Sequence, residues 1–232
     1  IFLKTNTYFQ SSTNGEKMNE RFFDLKKDRQ DRIINGAMRI FTENGFRHAS
    51  TDEMVAAASI SKGLLFHYFK SKKGAYLFLY EYCTRYMLIE MREAERRRGC
   101  DYFEMKCLLS LADTAVLRKY PCLPVFLHRA DSEASLFSED KDMELPEGIK
   151  GACAALRREL LASSSLSPFL TGDNMENLSR ILSYTRYGLI HELLARQELP
   201  ADAQADHPAL PLHEEYAQRF QSYLQMLRRM NL

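Results

Sequence analysis

The chain has 232 residues, 45% hydrophobic and 27% charged, a composition that buries a sizeable core and excludes intrinsic disorder. Its formal net charge of +1 hides an asymmetry, because residues 1–75 hold 13 Lys/Arg against 8 Asp/Glu and residues 76–232 hold 19 against 23, which points to an anionic partner for the N-terminal part. No apolar run approaches the roughly 18 residues of a membrane span and no signal peptide opens the chain, so a cytoplasmic protein is expected.

Ten Gly and seven Pro are few for this length, and period-2 alternation of β-branched residues is nearly absent, so the fold expected is all-α. Residues 1–17 are set apart: the first methionine is Met18, and Tyr8-Phe9-Gln10-Ser11 resembles the remnant of a protease-recognition tag, with a flexible arm as the alternative. Over 19–44, Ile33, Ile34, Ala37, Met38 and Phe41 recur at helical spacing until Asn44-Gly45 supplies a stop. Ser50-Thr51-Asp52-Glu53 reads as a capping box opening a short helix over 51–58. Ser59-Ile60 leaves room only for a tight turn before Ser61 caps a second short helix to about Phe69. Ser71 then caps a long helix that ends in Arg96-Arg97-Arg98-Gly99, with cations at the negative dipole end. Further helices are expected at 101–119, 122–137, 146–163, 173–198 and 213–230. The acidic stretch 138–145 and the stretch 199–212, with Pro200, Pro208 and Pro211, read as loops.

A capped two-turn helix, a tight turn and a second short helix form a helix-turn-helix, whose second helix enters the DNA major groove. Residues 47–73 fit this arrangement. Met54, Val55 and Ala58 face the core from the first helix, and Ile60, Leu65 and Phe69 from the other side. Lys62, Gly63, Leu64, Phe66, His67 and Tyr68 are left pointing outward, with a bare glycine that permits close approach of a DNA strand. The run from Ser61 to Lys72, Ser-Lys-Gly-Leu-Leu-Phe-His-Tyr-Phe-Lys-Ser-Lys, preceded by Ile33-Ile34 and by Phe41 to Phe46, closely resembles the DNA-binding domain of the TetR family of bacterial transcriptional regulators. The resemblance covers about residues 27–80. It implies about nine helices, a homodimer formed by the last two long helices and an effector pocket in the C-terminal part.

Carried over position by position, the resemblance gives Thr51 and Lys72 phosphate contacts, and Lys62, Gly63, Leu64, His67 and Tyr68 groove contacts. The first turns at Thr51 and Lys72 offer free N–H groups and a positive dipole end, which favour an anion. Lys73-Gly74 departs from the acidic pair usual in the family, and Lys73 adds phosphate affinity. Phe66 replaces a frequent tyrosine, and Ser59 a turn glycine. The domains expected are 18–72 for DNA binding and 73–232 for ligand binding and dimerisation.

Tyr76, Tyr80, Cys83 and Met87 have the i, i+4, i+7, i+11 spacing of ordinary core. Because the family pocket is walled partly by this helix, Cys83, Tyr86, Met87, Phe126, His128, Tyr184, Tyr187 and His191 form the candidate lining. The five cysteines, Cys83, Cys100, Cys107, Cys122 and Cys153, are never in a C-x-x-C pair and read as reduced thiols. No metal or cofactor is expected. Leu178, Ile181, Leu182, Leu189 and Leu193 on one long helix, and Tyr216, Phe220, Tyr223 and Leu227 on the last, form apolar stripes. With Leu224, Met226 and Met230 beside them and Gly188 allowing close approach, these two helices would build a two-fold interface. The function expected is a dimeric repressor released from a palindromic operator by a small-molecule effector. The alternative is a regulator of the same fold controlled by a protein partner or lacking an effector. An enzyme using His128, Asp131 and Glu133 is a remote rival, since no nucleophile motif or phosphate loop accompanies them.

Overall fold

The computed structural model describes residues 20–136, 148–165, 173–197 and 210–230. The expectations for residues 1–17, for the acidic loop 138–145 and for most of 199–212 lie outside them. Among the described residues the chain is all-α, with eleven helices and one isolated bridge between Asp101 and Ser165. They are α1 (Glu20–Phe23), α2 (Lys27–His48), α3 (Thr51–Ala58), α4 (Lys62–Phe69), α5 (Lys72–Glu90), α6 (Arg92–Arg96), α7 (Tyr102–Lys119), α8 (Leu123–Leu136), α9 (Ala152–Ala162), α10 (Asp173–Gln197) and α11 (Leu212–Arg229). None of them is long and apolar enough to cross a membrane.

Three departures from the expected helices have local causes. The helix expected over 19–44 is broken into α1 and α2, because the buried Gln30 amide donates to Phe23 O at 3.0 Å and Leu25 O at 2.8 Å. Those carbonyls are thereby held outside a continuous ladder. The long helix expected to reach Arg98 ends at Glu90 and resumes as α6, and Gly99 closes it at φ +86°. The helix expected from 146 starts only at Ala152, because Gly151 stands at its N-cap with φ +65°. The expected stop at Asn44-Gly45 is a kink at Gly45 inside α2, which runs on to His48, and the remaining boundaries agree within about one residue.

The chain divides into two compact units, one of residues 1–86 and 126–150, the other of residues 87–125 and 151–232. In the first, Ile33, Ile34, Met38 and Phe41 of α2 pack with Met54 and Ala58 of α3 and with Leu65 and Phe69 of α4, all buried. Gly36 sets the separation of α2 and α3, since a Cβ there would lie 2.7 Å from Ala58 N. Phe22 of α1 closes the far side, its ring 5.5 Å from Phe69 and 5.0 Å from Phe78 of α5. Such aromatic contacts add about 0.5–1.5 kcal/mol each beyond the area buried.

In the second unit, α7, α10 and α11 share a core of Tyr102, Phe103, Leu117, Leu178, Leu182, Leu189, Ile190, Leu193, Tyr216, Phe220 and Leu224. Asp101 caps α7, its Oδ1 accepting from Phe103 N at 3.0 Å and Glu104 N at 3.2 Å. Outside the apolar stripe, Glu192 of α10 accepts from Arg219 of α11 at 2.8 and 3.1 Å, and Arg196 donates to Glu215 at 2.8 Å. Leu224, expected beside the two-fold face, is instead buried within this core.

Candidate nucleic-acid interface

The local sequence fixes the two short helices through their caps. Ser50 Oγ accepts from Asp52 N at 3.2 Å and Ser61 Oγ from Leu64 N at 3.2 Å, each satisfying one orphan donor of a helix start. The capping box is completed differently from expectation: Glu53 Oε2 accepts from Asn44 Nδ2 at 3.3 Å. The turn passes through Ser59 in the left-handed region at φ 52°, ψ 50°, a position where glycine would be unstrained. Ser71 Oγ accepts from Gly74 N at 2.9 Å and opens α5 as expected. Gly74 is required there, because a Cβ would collide with Phe69 O.

Leu65 and Phe69 anchor α4 in the core, and the outer face presents Lys62, Gly63, Phe66, His67 and Lys70. Leu64 and Thr51 are half-buried at its edges. A Cβ on Gly63 would meet nothing within 4 Å, so this flat spot faces open space. Lys62 Nζ lies 2.8 Å from Asp52 Oδ1, an exposed pair worth at most about 1 kcal/mol and easily exchanged for a phosphate.

Two expected contacts are placed otherwise. Tyr68, expected outward, is only 8% exposed and packs edge-on against Phe22 at 5.7 Å, a consequence of α1 folding back over the core. Lys72 is not a free ammonium: its Nζ donates to Arg47 O at 3.1 Å and Ala49 O at 3.2 Å and lies 4.9 Å from the Phe46 ring centre. It thus caps the C-terminal end of α2, where a cation is favoured. Lys73, half-buried in the same turn, makes no such contacts among the described residues.

The end of α2 is also held from α8, a feature the sequence did not reveal. Glu133 accepts from Phe46 N at 3.2 Å, Tyr76 Oη at 3.2 Å and Arg129 Nε at 2.8 Å, while Arg129 Nη1 donates to Thr42 O at 2.9 Å. Burial first, and then the Glu133 charge, hold the Tyr76 hydroxyl protonated far above the usual tyrosine range. Gly45, at φ +68°, makes room for this knot, since a Cβ would collide with Glu133 Oε1. Tyr80 Oη donates to Asp131 at 2.5 Å. Of the residues named for an enzyme, Glu133 and Asp131 hold helices together, and His128 is exposed.

The candidate pocket residues fall in both units. Cys83, Tyr86, Phe126 and His128 lie in the first unit and Met87, Tyr184, Tyr187 and His191 in the second. Cys83 donates to Met38 Sδ at 3.5 Å and Phe126 packs on Tyr76 at 5.6 Å, both as ordinary core. Tyr86 stacks on Tyr82, and Tyr187 lies under the Arg186 guanidinium at 4.6 Å. Tyr184, 74% exposed, and His191, also exposed, are at the surface and line no interior, because α10 turns Leu182, Leu189 and Leu193 inward instead.

Two capped short helices crossing at a left-handed turn, with the second anchored by two residues and bare outside, define a helix-turn-helix DNA-binding unit. Residues 33–76 match the profile of bacterial regulatory proteins of the tetR family. The HTH-type transcriptional regulator UidR of Escherichia coli K12 is 26% identical over 166 residues, covering 71% of this chain and 81% of UidR; the UidR sequence of Shigella flexneri matches equally. The chain thus carries a TetR-type DNA-binding domain at residues 33–76 and is similar over most of its length to an HTH-type transcriptional regulator. Among solved structures, the TetR family transcriptional regulator PfmR from Thermus thermophilus overlays with a TM-score of 0.47 at 16% identity, covering 85% of this chain and 97% of that one.

Proposed function

We propose that this regulator is a homodimeric repressor that binds a two-fold symmetric operator and is released by a small-molecule effector held in the second unit. The observation that carries the DNA-reading part is the outer face of α4, where Lys62, Gly63, Phe66 and His67 are exposed while Leu65 and Phe69 are buried. Thr51, Leu64, Lys73 and the rim of Tyr68 would complete the contact, while Lys72 would act chiefly by holding the end of α2. Residues 18–72 are thereby the DNA-binding part and 73–232 the ligand-binding and dimerisation part. No reaction is catalysed, and the site of action is the cytoplasm, where the DNA is.

A second stripe supports the dimer. Ile181, Tyr184, Gly188 and His191 recur at i, i+3, i+7 and i+10 on α10 and are all exposed, as are Met226 on α11 and Met230 at its C-cap. An apolar face of this kind on two long helices fits a four-helix contact between copies of the chain. Two copies then offer two α4 helices to successive major-groove faces, about 34–36 Å or a multiple apart. Selection of bound duplexes from a random pool tests the reading. The expected outcome is a palindromic motif with that half-site spacing, and recovery of an asymmetric motif or of none would contradict it.

A further inference from the structure

The second unit buries more positive than negative charge. Asp113 of α7, fully buried, accepts at Oδ1 from Arg157 Nη2 of α9 and from Arg186 Nη2 of α10 at 2.7 Å. At Oδ2 it accepts from Arg186 Nε at 2.6 Å and Tyr216 Oη at 3.1 Å. The carboxylate's lone-pair positions are all used by these donors. Lys106, two helical turns away on α7, is only 7% exposed and makes no hydrogen bond among the described residues. Its Nζ rests 5.4 Å from the centre of the Tyr102 ring.

A buried ammonium without a hydrogen bond is costly, and the cost falls on its proton. Burial first, then repulsion from Arg157 and Arg186, pulls the Lys106 pKa down to about 7, with Asp113 opposing only in part. Asp113 itself stays ionised: burial would raise its pKa, but Arg157 and Arg186 hold it below the usual carboxylate range. One carboxylate therefore serves two guanidiniums, and a third cation is left to add.

We propose that Lys106 and Arg157, backed by the Asp113–Arg186 pair, form an anion subsite that takes the carboxylate of an organic acid with an apolar body. Asp113 offsets one of the two guanidiniums, so with Lys106 neutral one positive charge is left over, and a monoanion offsets it. A phosphate dianion carries roughly four times the desolvation cost, since that cost grows with the square of the charge. The apolar body follows from the surroundings: Met87 Sδ lies 3.5 Å from Arg157 Nη2, and the Tyr102 ring lies beside Lys106. Arg157, whose side chain is 17% exposed, is the point reached from solvent. The carboxylate would draw a proton onto Lys106. The groups facing that ammonium are Asp113, Arg157 and Arg186, with Tyr216 on the shared carboxylate and Tyr102 alongside, and of these described groups Lys106 is the one whose proton is gained near neutral pH.

This subsite rests on reading the second unit as the effector-binding part, so binding is measured without DNA. Thermal unfolding of the full chain is followed at pH 6 and pH 8 with 4-phenylbutyrate and decanoate, and with the corresponding amides at the same concentration and ionic strength. The acids are expected to raise Tm by a few degrees at concentrations well above Kd, more at pH 6 than at pH 8, and the amides are not. Lys106→Met, which removes a buried charge without removing volume, is expected to fold and to lose the response, and Arg157→Gln to weaken it. Equal shifts from acid and amide, no shift from either acid, or a full shift in Lys106→Met would overturn the subsite. Parallel binding to a selected duplex separates the two readings: an absent acid response with intact DNA binding removes the subsite and leaves the regulator standing, and the reverse result does the opposite.

Discussion

Arg186 holds Asp113 by two parallel hydrogen bonds, Nε to Oδ2 at 2.6 Å and Nη2 to Oδ1 at 2.7 Å, joining α10 to α7 across 73 residues of sequence. Both groups are removed from water, and burial, which opposes both charges, is outweighed by their mutual attraction. Breaking such a pair from one side leaves its partner as an uncompensated buried charge. Asp113→Ala is expected to destabilise the protein by about 3–5 kcal/mol in urea unfolding. A loss below about 1 kcal/mol would show that the cluster is solvated and contributes little.

Lys106 makes stability depend on pH. The folded protein releases its proton near 7, whereas an unperturbed lysine does so near 10.5, so between those values the unfolded chain binds the extra proton. Stability from this group therefore rises with pH across that window and is lost as pH falls towards 7. Lys106→Met is expected to flatten the dependence of Tm on pH between 7 and about 10, and an unchanged slope would exclude a depressed lysine at this position.

Gly36 is the contact between α2 and α3. A Cβ 2.7 Å from Ala58 N and 2.9 Å from Ala57 C meets backbone that has nowhere to move except by separating the helices. Gly36→Ala is expected to cost about 1–3 kcal/mol in chemical denaturation, despite the better helix propensity of alanine. A gain in stability would mean that α3 shifts freely.

Gly63 presents the opposite case. Nothing lies within 4 Å of a Cβ there, so Gly63→Ala fills no space in the protein and gains up to about 1 kcal/mol of helix propensity. If the bare backbone is what a DNA strand approaches, the variant unfolds at the same or a higher temperature yet binds DNA more weakly. Unchanged affinity by fluorescence anisotropy would place the strand elsewhere.

Much of the DNA-binding unit is legible in the sequence because its determinants are local. Ser50, Ser61 and Ser71 each cap the helix that the spacing predicts, and Leu65 and Phe69 fall inward as an i, i+4 pair. Tyr68 is misplaced by the same local reasoning, since the residue that covers it, Phe22, sits on a separate short helix created by a side-chain hydrogen bond of Gln30. Lys72 reads as a free cation until the carbonyls of Arg47 and Ala49 are brought to it. Asp113 lies on the buried side of α7 between Leu109 and Val116, where a carboxylate demands a cation, yet nothing near it in sequence identifies Arg157 and Arg186 as the partners. Glu133 and Arg129 are equally opaque, because their partners on α2 lie 86 and 87 residues away.

Whether the exposed face of α4 reads DNA is tested most directly by the ratio of affinities for selected and random duplex in His67→Ala. A side chain that reads a base edge contributes about 1–3 kcal/mol of discrimination, so that ratio is expected to fall roughly fivefold or more while binding to random duplex is nearly unchanged. Equal losses on both duplexes, or no loss on either, would contradict base reading by this helix.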